Sequence, residues 1–389
     1  MLEDENMKKV AFIAPTYPVL SETFIQTEVD AIKACGHDVC VFTFEIEDYQ
    51  HKFDYNVIQI GKNIQTDMYK NFHLSGALEA MTFIREQQHL PKRSLFNYGL
   101  KLALQLAELN VEHIHAHFCQ HTAAHAIVAA KLLNITCSFV AHGHDVYETA
   151  YDIDKKILAS DFIVTVCKDM KNDFEKMATG NIKILHCGVK IDQFVMKNKK
   201  PSDHLRFVFL GRLVQQKGIH HLIDALAPIA KRLNIHLDIV GTGEMEAQLK
   251  DQVIRKGLSN HVRFLDSKPH RWVKEHLSKY DCLVAPFCFS QTGCVDTGPL
   301  VLKEAMAVGT PVITTNIMGC KEIVTSETGY LVNEKSVIEL KHSIEQFAKL
   351  TFEQRSEMGI MARERVEKNF DALKQAKQLS SWIEKESSS

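Results

Sequence analysis

The sequence predicts an α/β protein made of two doubly wound, Rossmann-like domains. Its 389 residues are enough for two domains of ordinary size, and a hydrophobic content of 45% can fill two cores. Both halves alternate short apolar runs with segments of helical periodicity, which is the pattern of parallel sheets covered by helices. A fold of this class binds its ligands beyond the carboxyl ends of the strands.

A polar segment at 196–203 interrupts the periodicity and indicates a linker. We therefore expect a first domain over residues 1–195, a linker over 196–204 and a second domain over 205–369. Residues 370–389 are expected to form a final helix.

The composition excludes several classes of function. The formal net charge of −2 provides no general attraction to nucleic acid or acidic lipid. The ten cysteines include no Cys-x-x-Cys pair, so we interpret them as small buried hydrophobes of a reducing cytoplasm. The first residues lack a signal-peptide pattern and no apolar run reaches about 18 residues, so we expect a cytoplasmic protein without a transmembrane helix.

The first predicted strand, at 10–14, leads into a loop without glycine and then into a helix. Ser21 and Thr23 stand at the start of that helix, and two interpretations are open. They either present hydrogen-bond donors to an anion at the helix N-terminus, or they form an ordinary cap with Ser21 as the N-cap residue. A second strand is predicted at 39–44.

Two helices are predicted over 77–84 and 95–109, separated by a break at 91–93. They either form a solvated hairpin or present an apolar and basic surface to an acceptor lipid or the inner face of a membrane. Their pattern is compatible with both.

Histidines cluster after this hairpin. His113, His115 and His117 alternate along a predicted strand and so share one of its faces, while His121 and His125 share one face of the next helix. Imidazoles at this density could form a zinc site, but no carboxylate lies among them in the sequence. We therefore expect no metal here and keep zinc as the alternative.

His142 directly follows a predicted strand at 138–141. A residue at the carboxyl end of such a strand lies where ligands bind, so His142 is either a ligand-binding residue or a structural histidine bonded to the backbone. Farther on, Asp152 and Asp154 form an Asp-x-Asp pattern that is known from manganese sites. Because they precede a helix rather than follow a strand, we interpret them as a helix cap.

The second half opens with a strand at 207–210, a loop that carries two cations, and a helix. Arg212 can bind phosphate oxygens in a bidentate manner, Lys217 adds a point charge, and the helix N-terminus adds its dipole. This arrangement predicts a phosphate site, and the alternative is a solvated basic loop. The next predicted strand ends in a turn with Gly241 and Gly243, a pattern of low specificity when taken alone.

Two carboxylates lie farther along, on either side of a predicted helix start. Gly298 and Pro299 form the turn that begins this helix, with Asp296 or Thr297 as its cap. Glu304 lies inside the helix, so one acid is in the loop and the other is on the helix.

These motifs resemble those of family 4 of the retaining glycosyltransferases, which have the two-domain GT-B fold. The resemblance rests on the loop at 211–218, the His-Gly-x-Asp segment at 142–145 and the E-x7-E signature at 296–304. The first acid of that signature is Asp296 instead of glutamate, and Thr297 replaces the usual glycine. The segment 15–24 is similar to the start of exopolysaccharide glycosyltransferases of the colanic acid and amylovoran type.

The resemblance implies two domains that face a central cleft, with the last helix crossing back to the first domain. It implies transfer, with retention, of a hexose-type sugar from a UDP- or GDP-linked donor to a saccharide or lipid-linked acceptor. Such transfer belongs to the synthesis of exopolysaccharide, lipopolysaccharide or capsule. The expected partners are this donor and acceptor, without nucleic acid, and the expected location is cytoplasmic or peripheral at the inner membrane face.

The resemblance also assigns roles to individual residues. Arg212 and Lys217 would stabilise the charge on the diphosphate in place of a divalent metal, so neither a metal nor a cofactor is expected. Glu304 would accept hydrogen bonds from the ribose, while Asp296 and His142 would hold the donor sugar. The other residues assigned to the donor site are Gly211, Gly241, Gly243, Thr297, Gly298, Pro299 and Leu300, and those of a phosphate and acceptor-side loop are Ser21, Thr23 and His117.

Two further functions are open. The departures at Asp296 and Thr297 suit a non-catalytic binder of nucleotide sugars, which would take up UDP without turnover. An epimerase with the GT-B fold is less favoured, and it would release UDP without an acceptor.

Overall fold

The computed structural model describes residues 7–19, 22–47, 53–62, 66–197 and 199–386. The chain divides into two compact units, one formed by Met1–Gly188 with Ala372–Ser389 and the other by Val189–Asp371. Each unit has a parallel sheet packed against helices, so the predicted α/β class with two Rossmann-like domains is confirmed.

The first unit has seven parallel strands in its described residues. They are β1 Val10–Tyr17, β2 Val39–Ile46, β3 Asn56–Gln59, β4 His113–His117, β5 Thr136–Ala141, β6 Phe162–Thr165 and β7 Ile182–Ile184. Their order in the sheet is β3-β2-β1-β4-β5-β6-β7. The order reverses between β1 and β4, so the loops that follow these two strands diverge at their carboxyl ends.

The helices of this unit before the crossing to the second one are α1 Thr23–Ala34, α2 Leu74–Glu86, α3 Lys92–Glu108, α4 His121–Leu133, α5 Gly143–Tyr147, α6 Ile153–Ala159 and α7 Lys168–Met177, with a 3-10 turn at Thr66–Asn71. Helix α4 is buried on nearly every side because it is rich in alanine, whose small side chain allows close packing against α2 and α3.

The second unit has six parallel strands in its described residues. They are β8 Leu205–Leu210, β9 Ile235–Val240, β10 Val262–Leu265, β11 Cys282–Ala285, β12 Val312–Thr315 and β13 Gly329–Val332. The order is β10-β9-β8-β11-β12-β13, with the reversal between β8 and β11. Alternate residues of β8 point into different cores, with Phe207 and Phe209 in one and Val208 in the other.

The helices of the second unit are α8 Ile219–Leu226, α9 Glu246–Arg255, α10 His270–His276, α11 Leu300–Ala307, α12 Cys320–Ile323, α13 Val337–Lys349 and α14 Phe352–Asn369, with 3-10 turns at Ile191–Gln193, Gln215–Lys217 and Leu277–Lys279. Helix α8 packs through an apolar face, since Ile219, Leu222, Ile223 and Leu226 are all buried.

The boundary between the units lies at Gly188–Val189 rather than at the predicted 195–196. The reason is packing, because Val189 and Phe194 are buried in a core of the second unit. The predicted linker is also partly anchored there, since Lys199 donates a hydrogen bond from Nζ to the carbonyl of Tyr280 at 2.6 Å.

The last helix, α15, spans Ala372–Lys385 and belongs to the first unit. It packs against α1, and its residues Leu379 and Ile383 are fully buried. His37 Nε2 and Ser380 Oγ, 2.8 Å apart, form a buried hydrogen bond that joins it to the rest of the unit. The helix begins two residues later than predicted.

Among the described helices, none is long and apolar enough to cross a membrane. The two helices predicted around the break at 91–93 are α2 and α3. Helix α2 carries an exposed apolar stripe of Leu74, Leu78 and Met81, whose exposed fractions are 81%, 65% and 37%. Residues at this spacing share one helix face.

Candidate functional site

The switch point of the second sheet positions two loops. The loop at 211–218 follows β8, and the loop at 286–299 follows β11, the neighbouring strand on the other side of the reversal. Loops in this position form the ligand crevice of doubly wound sheets. Both predicted phosphate cations lie in the first loop, and Asp296 lies in the second.

The loop after β8 is compact because of Gly218. This residue has a φ of +66°, and a Cβ placed there would lie 1.9 Å from the carbonyl oxygen of Pro286. Only glycine therefore lets the two loops approach. Lys217 precedes it and is mostly buried, with its ammonium 5.0 Å from the centre of the Phe287 ring. Arg212 is exposed, and its guanidinium has no ion pair within the part of the chain that the structure describes.

Lys217 and Asp296 form an ion pair. The distance from Lys217 Nζ to Asp296 Oδ1 is 2.7 Å, and the side chains are 14% and 23% exposed. The second oxygen, Asp296 Oδ2, is buried and has no hydrogen-bond partner among the described residues. A buried carboxylate oxygen without a donor is costly, so Asp296 Oδ2 is a candidate acceptor for a bound ligand or a water.

The helix that carries Glu304 begins later than predicted. Pro299 is the N-cap residue of α11, and no side chain caps this end, so the predicted cap by Asp296 or Thr297 is wrong. Asp296 binds Lys217 instead. Thr297 is buried, and its carbonyl accepts a hydrogen bond from the amide of Gly319 at 2.9 Å. Gly298 and Leu300 flank Pro299 in the same turn.

Glu304 has a partner that the sequence did not indicate. His270 Nε2 lies 2.8 Å from Glu304 Oε1, and Glu304 is only 8% exposed. His270 is the first residue of α10, in the segment that follows β10. The one feature of the sequence that could have indicated this contact is a histidine at the start of a helix that follows a parallel strand.

The glycine turn after β9 closes on the loop after β8. Gly241 has a φ of +136°, and a Cβ there would lie 2.0 Å from the carbonyl oxygen of Gly211. A Cβ at Gly243 would lie 2.5 Å from the carbonyl oxygen of Leu213. These glycines are therefore needed for the contact between the two loops.

In the first unit, His142 lies at the carboxyl end of β5. Its ring is stacked on that of His117, with 3.5 Å between His142 Nε2 and His117 Nδ1. Burial lowers the pKa of His142 to about 3, so the ring is neutral. Its amide donates to Asp145 Oδ1 at 2.9 Å. The contact of His142 with a donor sugar stays a prediction.

The start of α1 differs from the predicted cap. Glu22, not Ser21, is the N-cap residue, and Thr23 is the first residue of the helix. Ser21 lies outside the described residues. The role of this segment in binding an anion stays a prediction.

The histidines of β4 do have a carboxylate beside them, contrary to the expectation from sequence. Glu28 Oε1 lies 3.2 Å from His115 Nε2 and 3.3 Å from His117 Nε2. Burial alone would raise the pKa of Glu28, but the charge of His117 and the contact with His115 outweigh it and hold the pKa below its usual range. Glu28 was not identified from the sequence because this residue is far from the histidines along the chain, and it reaches them only through the tertiary position of α1.

The other predicted metal candidates have structural roles. His125 Nδ1 donates to the carbonyl of His121 at 2.6 Å. Asp152 is the N-cap residue of α6, but its carboxylate accepts the amides of Gln88 and His89, both at 3.0 Å. It therefore anchors the segment between α2 and α3.

Two family profiles match this chain in succession. The profile described as "Glycosyltransferase Family 4" matches residues 21–193, and the profile described as "Glycosyl transferases group 1" matches residues 190–365. The first covers β2 to β7 and the histidines of β4, and the second covers the loops at 211–218 and 286–299.

Similar proteins cover almost the full chain. A Salmonella typhimurium glycosyltransferase named for colanic acid biosynthesis, WcaL, is 24% identical over 97% of this chain and 99% of its own. The amylovoran biosynthesis glycosyltransferase AmsK of Erwinia amylovora is 23% identical over 84% and 87%. Among solved structures, Anabaena HepE in complex with UDP-glucose has a TM-score of 0.72 at 16% identity, covering 97% of this chain and 99% of that one. At that identity the likeness concerns the fold.

Proposed function

Because this chain belongs to the family 4, group 1 glycosyltransferases of GT-B fold, we propose that it transfers a hexose-type sugar with retention. The donor is a UDP- or GDP-linked sugar, and the acceptor is a saccharide or a lipid-linked saccharide. The observation that carries the proposal is the pairing of Lys217 with Asp296 at the switch point, beside an unpartnered carboxylate oxygen.

The diphosphate site is formed by the loop after β8. Breaking the bond between the sugar and the diphosphate leaves negative charge on the phosphate oxygens, which Lys217 and Arg212 stabilise. Arg212 has no ion pair to give up among the described residues, whereas Lys217 must exchange Asp296 for phosphate.

Asp296 is proposed to bind the donor sugar. When phosphate oxygens bind the Lys217 ammonium, Asp296 Oδ1 becomes available alongside the buried Asp296 Oδ2. A carboxylate with two free oxygens accepts hydrogen bonds from two neighbouring hydroxyls. Aspartate is one methylene shorter than the glutamate of the family signature, so the sugar has to lie closer to this loop.

Glu304 is proposed to bind the ribose hydroxyls. His270 holds Oε1 and thereby fixes the orientation of the carboxylate. Among the described residues no other hydrogen bond reaches this side chain, so Oε2 is the oxygen proposed to accept from the ribose.

In the transfer step, the bond from the anomeric carbon to the phosphate oxygen breaks and a bond from that carbon to the acceptor oxygen forms. The acceptor proton passes to the departing diphosphate, and attack on the same face retains the configuration. The two cations compensate the charge, so no divalent metal is proposed for this step. Added Mg²⁺ or Mn²⁺ should therefore not stimulate transfer, and a rate restored by Mg²⁺ after EDTA would contradict this.

The similar proteins support a place in surface polysaccharide synthesis. WcaL and AmsK are named for two exopolysaccharides, and HepE was solved with UDP-glucose. We propose synthesis of exopolysaccharide, lipopolysaccharide or capsule as the process. The exposed stripe Leu74, Leu78 and Met81 on α2 supports a peripheral contact with a membrane that holds a lipid-linked acceptor.

The deciding experiment combines binding with turnover. A thermal-shift panel of UDP, GDP and their sugar conjugates, without metal, identifies the donor because a ligand raises the melting temperature by mass action. Transfer to a saccharide acceptor is then followed by NMR, which also reports the anomeric configuration. A melting shift without any turnover would favour the non-catalytic binder, and inversion of configuration would contradict the retaining mechanism.

A further inference from the structure

Three ligand-type atoms converge between α1 and β4 in the first unit. They are Glu28 Oε1, His115 Nε2 and His117 Nε2, which all lie within 4.8 Å of one another. The imidazoles are buried, with side-chain exposures of 0% and 1%, and Glu28 is 16% exposed. Helix α1 brings in the acid, while the alternation of β4 points both histidines to the same face.

These atoms are in contact but do not form hydrogen bonds of good geometry. Each of the three is buried and lacks a hydrogen-bond partner among the described residues. Buried polar atoms are nearly always satisfied by a protein group, a water or an ion. The three atoms lie at ion-pair distance without a hydrogen bond of good geometry, an arrangement that one central partner shared by all three would satisfy.

The far side of each ring is already fixed. His115 Nδ1 lies 2.7 Å from Ser138 Oγ, and His117 Nδ1 lies 3.5 Å from His142 Nε2. When Nδ1 is engaged in this way, the lone pair of Nε2 is directed at the point shared with Glu28. Metal-binding histidines have this arrangement, in which an outer hydrogen bond sets the tautomer and the ring orientation.

We propose that Glu28, His115 and His117 bind a Zn²⁺ ion. With bonds of about 2.0–2.1 Å to nitrogen and oxygen, the ligand atoms of a tetrahedral zinc site are about 3.3–3.4 Å apart. The separations of Glu28 Oε1 from the two imidazole nitrogens, 3.2 Å and 3.3 Å, agree with this, and the two nitrogens lie within 4.8 Å of each other. Imidazole ligands favour zinc over Mg²⁺ and Ca²⁺, which prefer oxygen. Water would complete the site.

The ion has a positioning role and does not contact the donor diphosphate. It links α1 to β4, and it holds His117, whose other nitrogen contacts His142. This site is separate from the loops at 211–218 and 286–299, so its existence does not depend on the proposed transfer. If only Zn²⁺ restores activity after chelation, the loss is caused by the emptied Glu28–His115–His117 site. If Mg²⁺ restores it, the loss reflects a metal bound to the donor diphosphate.

The test uses the full chain, purified without chelator and analysed for metals by mass spectrometry. We expect about one zinc per chain, and after chelation the protein should bind Zn²⁺ in competition with a chromophoric chelator. Co²⁺ substitution should give the visible absorption of a tetrahedral site. Wild-type protein that holds no zinc and takes up neither ion would overturn the proposal, as would a spectrum typical of octahedral water ligation.

Variants assign the ion to these residues. Glu28→Gln and His117→Gln should each lower the zinc content to below about a tenth of an equivalent, because a three-ligand site does not survive the loss of one ligand. His121→Gln is the matched control, a nearby histidine outside the cluster that should keep full zinc content. Folding of each variant is checked by its UDP-induced melting shift, which reports on the second unit, and by circular dichroism. Unchanged zinc content in folded Glu28→Gln and His117→Gln would refute the assignment.

Discussion

Replacing Asp296 by asparagine should tighten the binding of UDP while slowing sugar transfer. In the free protein the Asp296 carboxylate lies 2.7 Å from Lys217 Nζ, at the place where a phosphate oxygen is proposed to bind. Asparagine keeps the volume and one acceptor oxygen but removes the negative charge. The diphosphate then no longer competes with a carboxylate for the ammonium group.

The size of the effect follows from the geometry. A phosphate oxygen bound to Lys217 would lie roughly 5 Å from the carboxylate, where two unit charges repel by about 3 kcal/mol at an effective dielectric constant of about 20. The pair is partly exposed, at 14% and 23%, so screening reduces this. We expect a gain of about 1–2 kcal/mol, which corresponds to roughly five- to thirty-fold tighter binding.

Titration calorimetry with UDP, without metal and at two salt concentrations, measures this directly. The gain should shrink at the higher salt concentration. Measured again with Lys217→Met already present, the gain should differ from that in the wild-type background, and this difference, taken in a double-mutant cycle, isolates the coupling between the two residues. Asp296→Asn with equal or weaker affinity for UDP would refute the competition between carboxylate and phosphate.

Three further outcomes are expected. Arg212→Ala and Lys217→Ala should each weaken UDP binding by about 1.5–3 kcal/mol, since each removes a charged hydrogen bond, and unchanged calorimetric affinity would disprove the phosphate site. His270→Gln should reduce UDP affinity more than the affinity for inorganic diphosphate, because Glu304 acts on the ribose; an equal loss for both ligands would contradict that role. Acidification should destabilise the fold through His125, whose pKa is lowered by burial from 6.5 to about 4. The unfolded chain then takes up a proton that the folded chain does not, so stability falls as the pH drops from about 6.5 to about 4, by about 2 kcal/mol at pH 5. Urea denaturation at pH 7 and pH 5 measures the loss, which should be smaller in His125→Leu, and an identical pH dependence in that variant would exclude this histidine.

The secondary-structure elements and the positions of the loops could be predicted from the sequence. Apolar runs predicted strands such as β1 and β8, and the structure places Lys217 and Asp296 beyond the ends of adjacent strands at the switch point. The pairing of these two residues was not predicted, because they are 79 positions apart and nothing local shows which way each side chain turns.

Tertiary contacts between residues that are distant in the sequence also explain the other differences between prediction and structure. Glu28 reaches the histidines of β4 only through the packing of α1, and His270 reaches Glu304 from a different helix. The expected cap by Asp296 or Thr297 failed because the helix begins later, with Pro299 as its N-cap residue, and because the Asp296 carboxylate forms a tertiary ion pair. The domain boundary was placed too late because a polar linker signal says nothing about where Val189 packs.

The return of α15 to the first unit makes the second unit an insertion within it. The chain leaves at Gly188 and re-enters at Ala372, and a Cβ on Gly188 would lie 2.4 Å from the Ala372 Cα, so exit and re-entry are adjacent. During translation, the inserted unit is therefore complete on the ribosome before its host. A fragment of residues 189–371 has every strand of its sheet, whereas residues 1–188 lack the helix that buries Leu379 and Ile383 against them. Shortening the C-terminus should thus unfold the N-terminal half of the protein first.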